Sequence, residues 1–109
     1  MEIKTKNIKS RGIKYTIEVK GMKVGRAFLY IMHNDLHQRP FGLIEDVFVS
    51  EKIRGQGVGQ KLIGELLQEA KNQNCYKVIA TSRNERPRVQ KFYKKLRFKD
   101  YGKEFRIDL

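Results

Sequence analysis

An α/β fold is predicted for this chain: a mixed, mostly antiparallel central sheet with two helices. Three observations carry the prediction. Residues 13–19 (Ile-Lys-Tyr-Thr-Ile-Glu-Val) alternate apolar and polar side chains, the mark of a half-buried strand. Residues 41–49 form a near-continuous apolar run ending Leu43-Ile44-Glu45-Asp46-Val47-Phe48-Val49, as expected of a strand at a sheet centre. Behind a glycine-rich segment, Val58, Leu62, Ile63, Leu66, Leu67 and Ala70 recur at the spacing of one helix face.

The elements follow in order. Residues 1–11 are polar and basic, either a short strand or a loose arm. The strand at 13–19 meets the turn Lys20-Gly21-Met22-Lys23, and residues 24–32 return as its hairpin partner. Residues 34–40 read as a loop and 41–49 as the central strand. The long helix runs from Gly57 to about Gln73 and ends at Asn72 and Asn74. Residues 76–82 are a strand rich in β-branched side chains. Residues 83–88 connect, with Pro87 suited to a first helical turn, and 89–96 form a short helix. Residues 98–101 and 104–109 flank Gly102-Lys103 as a closing hairpin. No repeat, low-complexity tract or linker interrupts residues 1–109, so one domain is expected.

Composition narrows the class. A chain of 109 residues suits one small domain, and 39% hydrophobic content permits a lean core. No apolar run approaches a membrane span, and no signal-peptide core follows the first charges. A single cysteine excludes an intramolecular disulfide and a cysteine-based metal cluster, so a cytoplasmic location is the default. His33 and His37 are four apart, but Asn34, Asp35 and Pro40 point to a loop without further ligands; no metal site is expected. The formal net charge of +12 is spread over two regions, Lys4 to Arg26 and Arg83 to Arg106. It suits a solvated surface that also steers an anionic ligand. Nucleic-acid contact is a further reading, but no helix-turn-helix, zinc-finger or aromatic RNA-binding signature accompanies the charge.

The segment Arg54-Gly55-Gln56-Gly57-Val58-Gly59-Gln60 lies where a strand ends and a helix begins. Such a turn leaves backbone N–H groups pointing one way, ready for a phosphate. Glycine lets the backbone approach an anion closely. The G-x-x-x-x-G-K-[ST] loop fails here, because Gln60 and Leu62 stand at its second glycine and hydroxyl positions. The dinucleotide fingerprint G-x-G-x-x-G fails too, its third glycine arriving one residue early. R-x-x-G-x-G fits.

That motif resembles the pyrophosphate loop of the GNAT superfamily of acetyl-CoA-dependent N-acetyltransferases. Ile44-Glu45-Asp46-Val47-Phe48-Val49-Ser50 is similar to the strand before that loop, and Asn74-Cys75-Tyr76-Lys77-Val78-Ile79 to the strand after its helix. Val89-Gln90-Lys91-Phe92-Tyr93-Lys94-Lys95-Leu96-Arg97-Phe98 resembles the family's last helix, which usually ends F-Y-x-x-x-G-F. The pieces keep the family's order and spacing over residues 13–108. Three departures stand out. Glu51 occupies a common proline position, and Arg97 a common glycine position, a departure that costs little if φ stays negative. About a dozen residues precede the first clear strand, where members carry a strand and two helices.

The resemblance implies acetyl transfer from acetyl-CoA to a primary amine. At pH 7 only about one part in 10³ of a lysine-like amine is neutral, so deprotonation costs about 4–5 kcal/mol. A general base helps recover it. The resemblance implies Glu45 as that base, or a water chain in its place. Strand alternation allows only one of Glu45 and Asp46 to face the ligand, and a burial-raised pKa would suit Glu45 to the task. Glu45 as a polar edge or salt-bridge residue is the plain alternative. Tyr93, in the F-Y pair, is implied as the acid that protonates the departing thiolate; packing in the helix's apolar face is its alternative. For the cosubstrate the resemblance implies the amides of Gly55, Gln56, Gly57, Val58, Gly59 and Gln60 on the pyrophosphate. Arg54 adds charge or braces the loop. The backbone of Val47, Phe48 and Val49 pairs with the pantetheine arm, and Asn84 bonds that arm. Cys75 has no histidine nearby and reads as a small buried hydrophobe. Protein amines and small molecules are both possible acceptors, and an open sheet edge is compatible with a homodimer. The rival reading is a module that binds acetyl-CoA, protein or nucleic acid without turnover.

Overall fold

The computed structural model describes residues 1–109. Its strands are β1 (Arg11–Val19), β2 (Met22–Met32), β3 (Phe41–Val49) and β4 (Val78–Ala80); its helices are α1 (Val58–Asn72) and α2 (Pro87–Lys95). They form one sheet in the order β1-β2-β3-β4. The β1/β2 and β2/β3 pairs are antiparallel. β4 runs parallel to β3: the Tyr76 N–H donates to the Pro40 carbonyl at 3.0 Å, and the Gly42 N–H to the Lys77 carbonyl at 2.9 Å, both chains advancing together. The expected mixed, mostly antiparallel sheet with two helices is therefore present. The chain divides into two compact units, Met1–Ile79 and Ala80–Leu109.

Most of the first unit's core lies between the sheet and α1. Ala27, Leu29 and Ile31 of β2 alternate inward. Ile44 of β3 joins them, and Leu62, Ile63, Leu66 and Ala70 close the layer from the helix. Val58 and Leu67, expected on the same helix face, are only half-buried. No helix is long and apolar enough to cross a membrane.

Both helices end in the same way. In α1, Gln73 is the C-cap and Asn74 turns left-handed at φ 62°. The Cys75 N–H then reaches the Ala70 carbonyl and the Asn74 N–H reaches that of Lys71, each at 2.9 Å. This is the doubly bonded Schellman ending. Arg39 fastens it from outside, its guanidinium donating to the carbonyls of Asn74 and Cys75 at 3.1 Å each. In α2, Arg97 is the left-handed residue at φ 73°, with Phe98 N–H on the Tyr93 carbonyl at 3.0 Å and Arg97 N–H on that of Lys94 at 2.9 Å. The condition for a low cost at Arg97, a negative φ, is not met: the motif requires a positive one, whatever residue stands there.

Other boundaries differ from the sequence reading. Residues 1–10 carry no regular structure. The strand expected at 76–82 shrinks to Val78–Ala80, and α2 starts two residues early, on Pro87. Residues 98–109 form no hairpin. Tyr101, Phe105 and Ile107 are at least four-fifths exposed, so the alternation there has no apolar layer to bury against. A short 3-10 helix, Glu51–Ile53, was not expected. It occupies the loop where the family often carries proline.

Candidate functional site

The first unit builds its site where β3 runs into α1. β3 is not regular. Phe28 opposes Glu45, and Arg26 opposes Phe48, so Ala27 faces two residues of β3, Asp46 and Val47. Asp46 sits at φ 49°, the left-handed conformation that lets a bulge absorb its extra residue. The bulge resets the side-chain period. Glu45 and Phe48, three apart, share the sheet face turned away from α1, along with Arg26 and Phe28. The break in alternation falls between Asp46 and Val47, while Glu45 and Asp46 still oppose residues of different faces, Phe28 and Ala27. Glu45 is half-buried, and Asp46 is exposed at the kink.

Backbone packing fixes the end of β3. A side chain at Gly25 would meet the Ile17 Cδ1 atom at 2.9 Å and the Phe48 carbonyl at 3.1 Å, so glycine lets the strands approach this closely without displacing either. The Ser50 N–H donates to the Val24 carbonyl at 2.7 Å. Val47, Phe48 and Val49 follow the bulge, with Phe48 and Val49 paired to β2 on one edge. β4 starts beside Gly42 and is three residues long against nine in β3, so its ladder gives out before Val47. That leaves the other edge of Val47–Val49 beyond β4's reach.

The glycine turn follows. Arg54 folds back on the strand: its Nε donates to the Val49 carbonyl at 2.8 Å, and its Nη1 lies 3.6 Å from Glu51 Oε1. Arg54 is thus tied both to the end of β3 and to the short helix that follows it. Gly55 and Gly57 adopt φ of 81° and 75°, and a Cβ on either would project into open space. α1 begins with Gly57 as N-cap, without a side-chain cap and without an acidic residue in its first turn. The leading amides of an α-helix have no intrahelical partner. Gly57 has no side chain to cap them, and no acidic residue of the first turn offsets the positive end of the helix dipole. Gln56 and Gln60 are exposed; Val58 and Gly59 are half-buried. A helix start of this kind offers backbone donors to an anion.

The second unit carries the other two predicted residues. Tyr93 lies on α2, its ring edge-on to Phe92 at 5.4 Å and to Phe98 at 5.2 Å between centroids. The Schellman ending that turns the chain at Arg97 is what brings Phe98 onto Tyr93. Asn84 sits in the loop before α2, and Gln90 holds that loop by donating to the carbonyls of Arg83 at 2.9 Å and Asn84 at 3.2 Å. Cys75, in the first unit, is half-buried rather than buried. Burial pushes its thiol up from the usual range, with the nearby Arg39 charge working the other way. His37 packs its ring against Tyr76 at 5.0 Å.

Sequence reasoning missed the bulge. Its signal is faint: an acidic residue at a position that requires positive φ, where asparagine, aspartate and glycine are tolerated best.

A parallel β3-α1-β4 unit, a bulged strand, and a glycine turn feeding a helix with no side-chain cap meet at the end of β3. The acetyltransferase (GNAT) family profile matches residues 4–98, and the chain belongs to that family. A glucosamine 6-phosphate N-acetyltransferase of Trypanosoma brucei brucei is 39% identical over 71 residues, covering 65% of this chain and 46% of that protein. The chain thus spans about half the length of this curated relative. Among solved structures, a Trypanosoma brucei acetyltransferase superposes with TM-score 0.81 at 34% identity, covering 90% of this chain and 69% of that one. The glucosamine-6-phosphate N-acetyltransferase of Arabidopsis thaliana does so with TM-score 0.81 at 26% identity, over 89% and 66%.

Proposed function

We propose that this chain transfers an acetyl group from acetyl-CoA to a primary amine, and that the acceptor is a small phosphorylated amino sugar. The observation that carries the reading is the R-x-x-G-x-G turn: two left-handed glycines open to solvent, an arginine tied to the strand end, and a helix start with no cap of its own. The acceptor class is supported by relatives named glucosamine 6-phosphate N-acetyltransferases.

The amides of Gly55 to Gln60 would hold the pyrophosphate, and the open edge of Val47 to Val49 would pair with the pantetheine amides like an added strand. Asn84 would add a hydrogen bond to that arm. Acetyl-CoA supplies an activated thioester. Glu45, or a water it holds, would take the proton of the attacking amine. Backbone N–H groups near Val47 to Val49 would stabilise the developing oxyanion. Tyr93 is assigned the proton donor to the departing thiolate on its F-Y motif, and its phenol has the required O–H.

The test is steady-state acetylation of glucosamine 6-phosphate by the wild type, Glu45→Gln and Tyr93→Phe. The wild type is expected to turn over. Each variant is expected to lose about 10²-fold in kcat, with acetyl-CoA affinity within about twofold. Tight acetyl-CoA binding with no turnover of any amine would contradict the reading and favour a sensing module.

A further inference from the structure

The sheet face that carries Glu45 is built of aromatic rings with cations laid on them. The Lys14 Nζ lies 5.6 Å from the Phe28 ring centroid, and the Arg26 guanidinium 5.1 Å from that of Phe48. Phe28 stacks on Tyr30, with ring centroids 6.3 Å apart and planes 7° from parallel. Register puts these groups in fixed rows. Glu45, Phe28 and Lys14 lie side by side across β3, β2 and β1; Phe48, Arg26 and Thr16 form the next row. Arg26 is therefore the diagonal neighbour of Glu45 across the strand pair, about 7–8 Å away by the usual sheet spacing. Lys14 is two strands from Glu45, about 10 Å. Both cations are exposed.

Along this face three positive side chains, Lys14, Arg26 and Lys23, stand against two carboxylates, Glu45 and Glu18. Cation–π contact limits the wandering of long cationic side chains without neutralising them. A patch of this kind repels a polycationic acceptor and attracts one that carries an anion a few bonds from its amine. Arginine is also the side chain that grips a phosphate through two parallel N–H donors.

We propose that Arg26, seconded by Lys14, forms an anion subsite beside Glu45 that selects acceptors bearing a phosphate monoester. The proposal rests on the acetyl-transfer reading for its consequence, but binding alone can test it. The bulge is what creates the subsite: without the extra residue, Phe48 would turn to the other face and Arg26 would lose its platform.

The experiment titrates glucosamine 6-phosphate and glucosamine, separately and with coenzyme A present, into the wild type, Arg26→Met and Arg26→Lys. Methionine keeps an apolar stem over Phe48 and removes the charge; lysine keeps the charge and confirms that the fold survives substitution. The wild type is expected to favour the phosphorylated amine by about tenfold or more. Arg26→Met should bring that preference to about one, and Arg26→Lys should keep part of it. Equal or undetectable affinities of the wild type for the two amines overturn the subsite. So does a preference that survives Arg26→Met unchanged. Failure of the wild type to acetylate either amine would overturn the acetyl-transfer reading instead, and the binding comparison would still decide the subsite.

Discussion

At Arg97 a single backbone angle conflicts with its side chain. An L residue other than glycine pays about 1–2 kcal/mol in the left-handed region. Arg97 pays it because the ending of α2 bonds both Arg97 and Phe98 back into the last turn. Arg97→Gly is expected to raise stability by about 0.5–1 kcal/mol, part of the relief being lost to glycine's freedom in the unfolded chain. Thermal unfolding checks it: a Tm a few degrees higher agrees, and an unchanged or lower Tm contradicts it. Asn74 holds the equivalent place after α1, but asparagine tolerates that region better, so less is to be gained there. Neither angle is written in the letters alone. The F-Y-x-x-x-G-F likeness marks Arg97 as the glycine position, and only the hydrogen bonds reveal that the position still demands a positive φ.

At the scale of elements, the strands and helices with a clean period were legible. The apolar run at 41–49 became β3 to the residue, and the spacing of Leu62, Ile63, Leu66 and Ala70 gave the buried face of α1. Leu66 is fully buried and joins α1 to the sheet. Leu66→Ala is expected to cost about 2–5 kcal/mol, read from denaturant unfolding at unchanged m-value. A loss below about 1 kcal/mol would mean that the α1 layer is not the core. What was not legible depended on pairing between strands. The extra residue at Asp46 shows only when β2 is laid beside β3, because alternation within one strand cannot reveal how many residues oppose Ala27. The candidate site shares this division. The glycine turn is local and was read from sequence; the shared face of Glu45, Phe48 and Arg26 is a product of register. The hairpin expected at 98–109 failed for the related reason that local alternation does not supply a partner layer.

For the whole molecule, a net charge of +12 is an asset to a protein that binds a polyanion and a liability to one that binds cations. The turn from β3 into α1 adds directed backbone donors to that charge. The central claim is that acetyl-CoA binds there through its pyrophosphate. The most direct test is calorimetric titration of acetyl-CoA into the wild type and Gly57→Glu, with circular dichroism verifying that the variant is folded. A side chain at Gly57 enters the open space above the turn, adds a negative charge at the helix start, and strains a left-handed backbone at a cost of about 1–2 kcal/mol. The account predicts saturable one-to-one binding to the wild type and its loss in the folded variant. Equal affinity in both proteins, or no binding to the wild type, would contradict it.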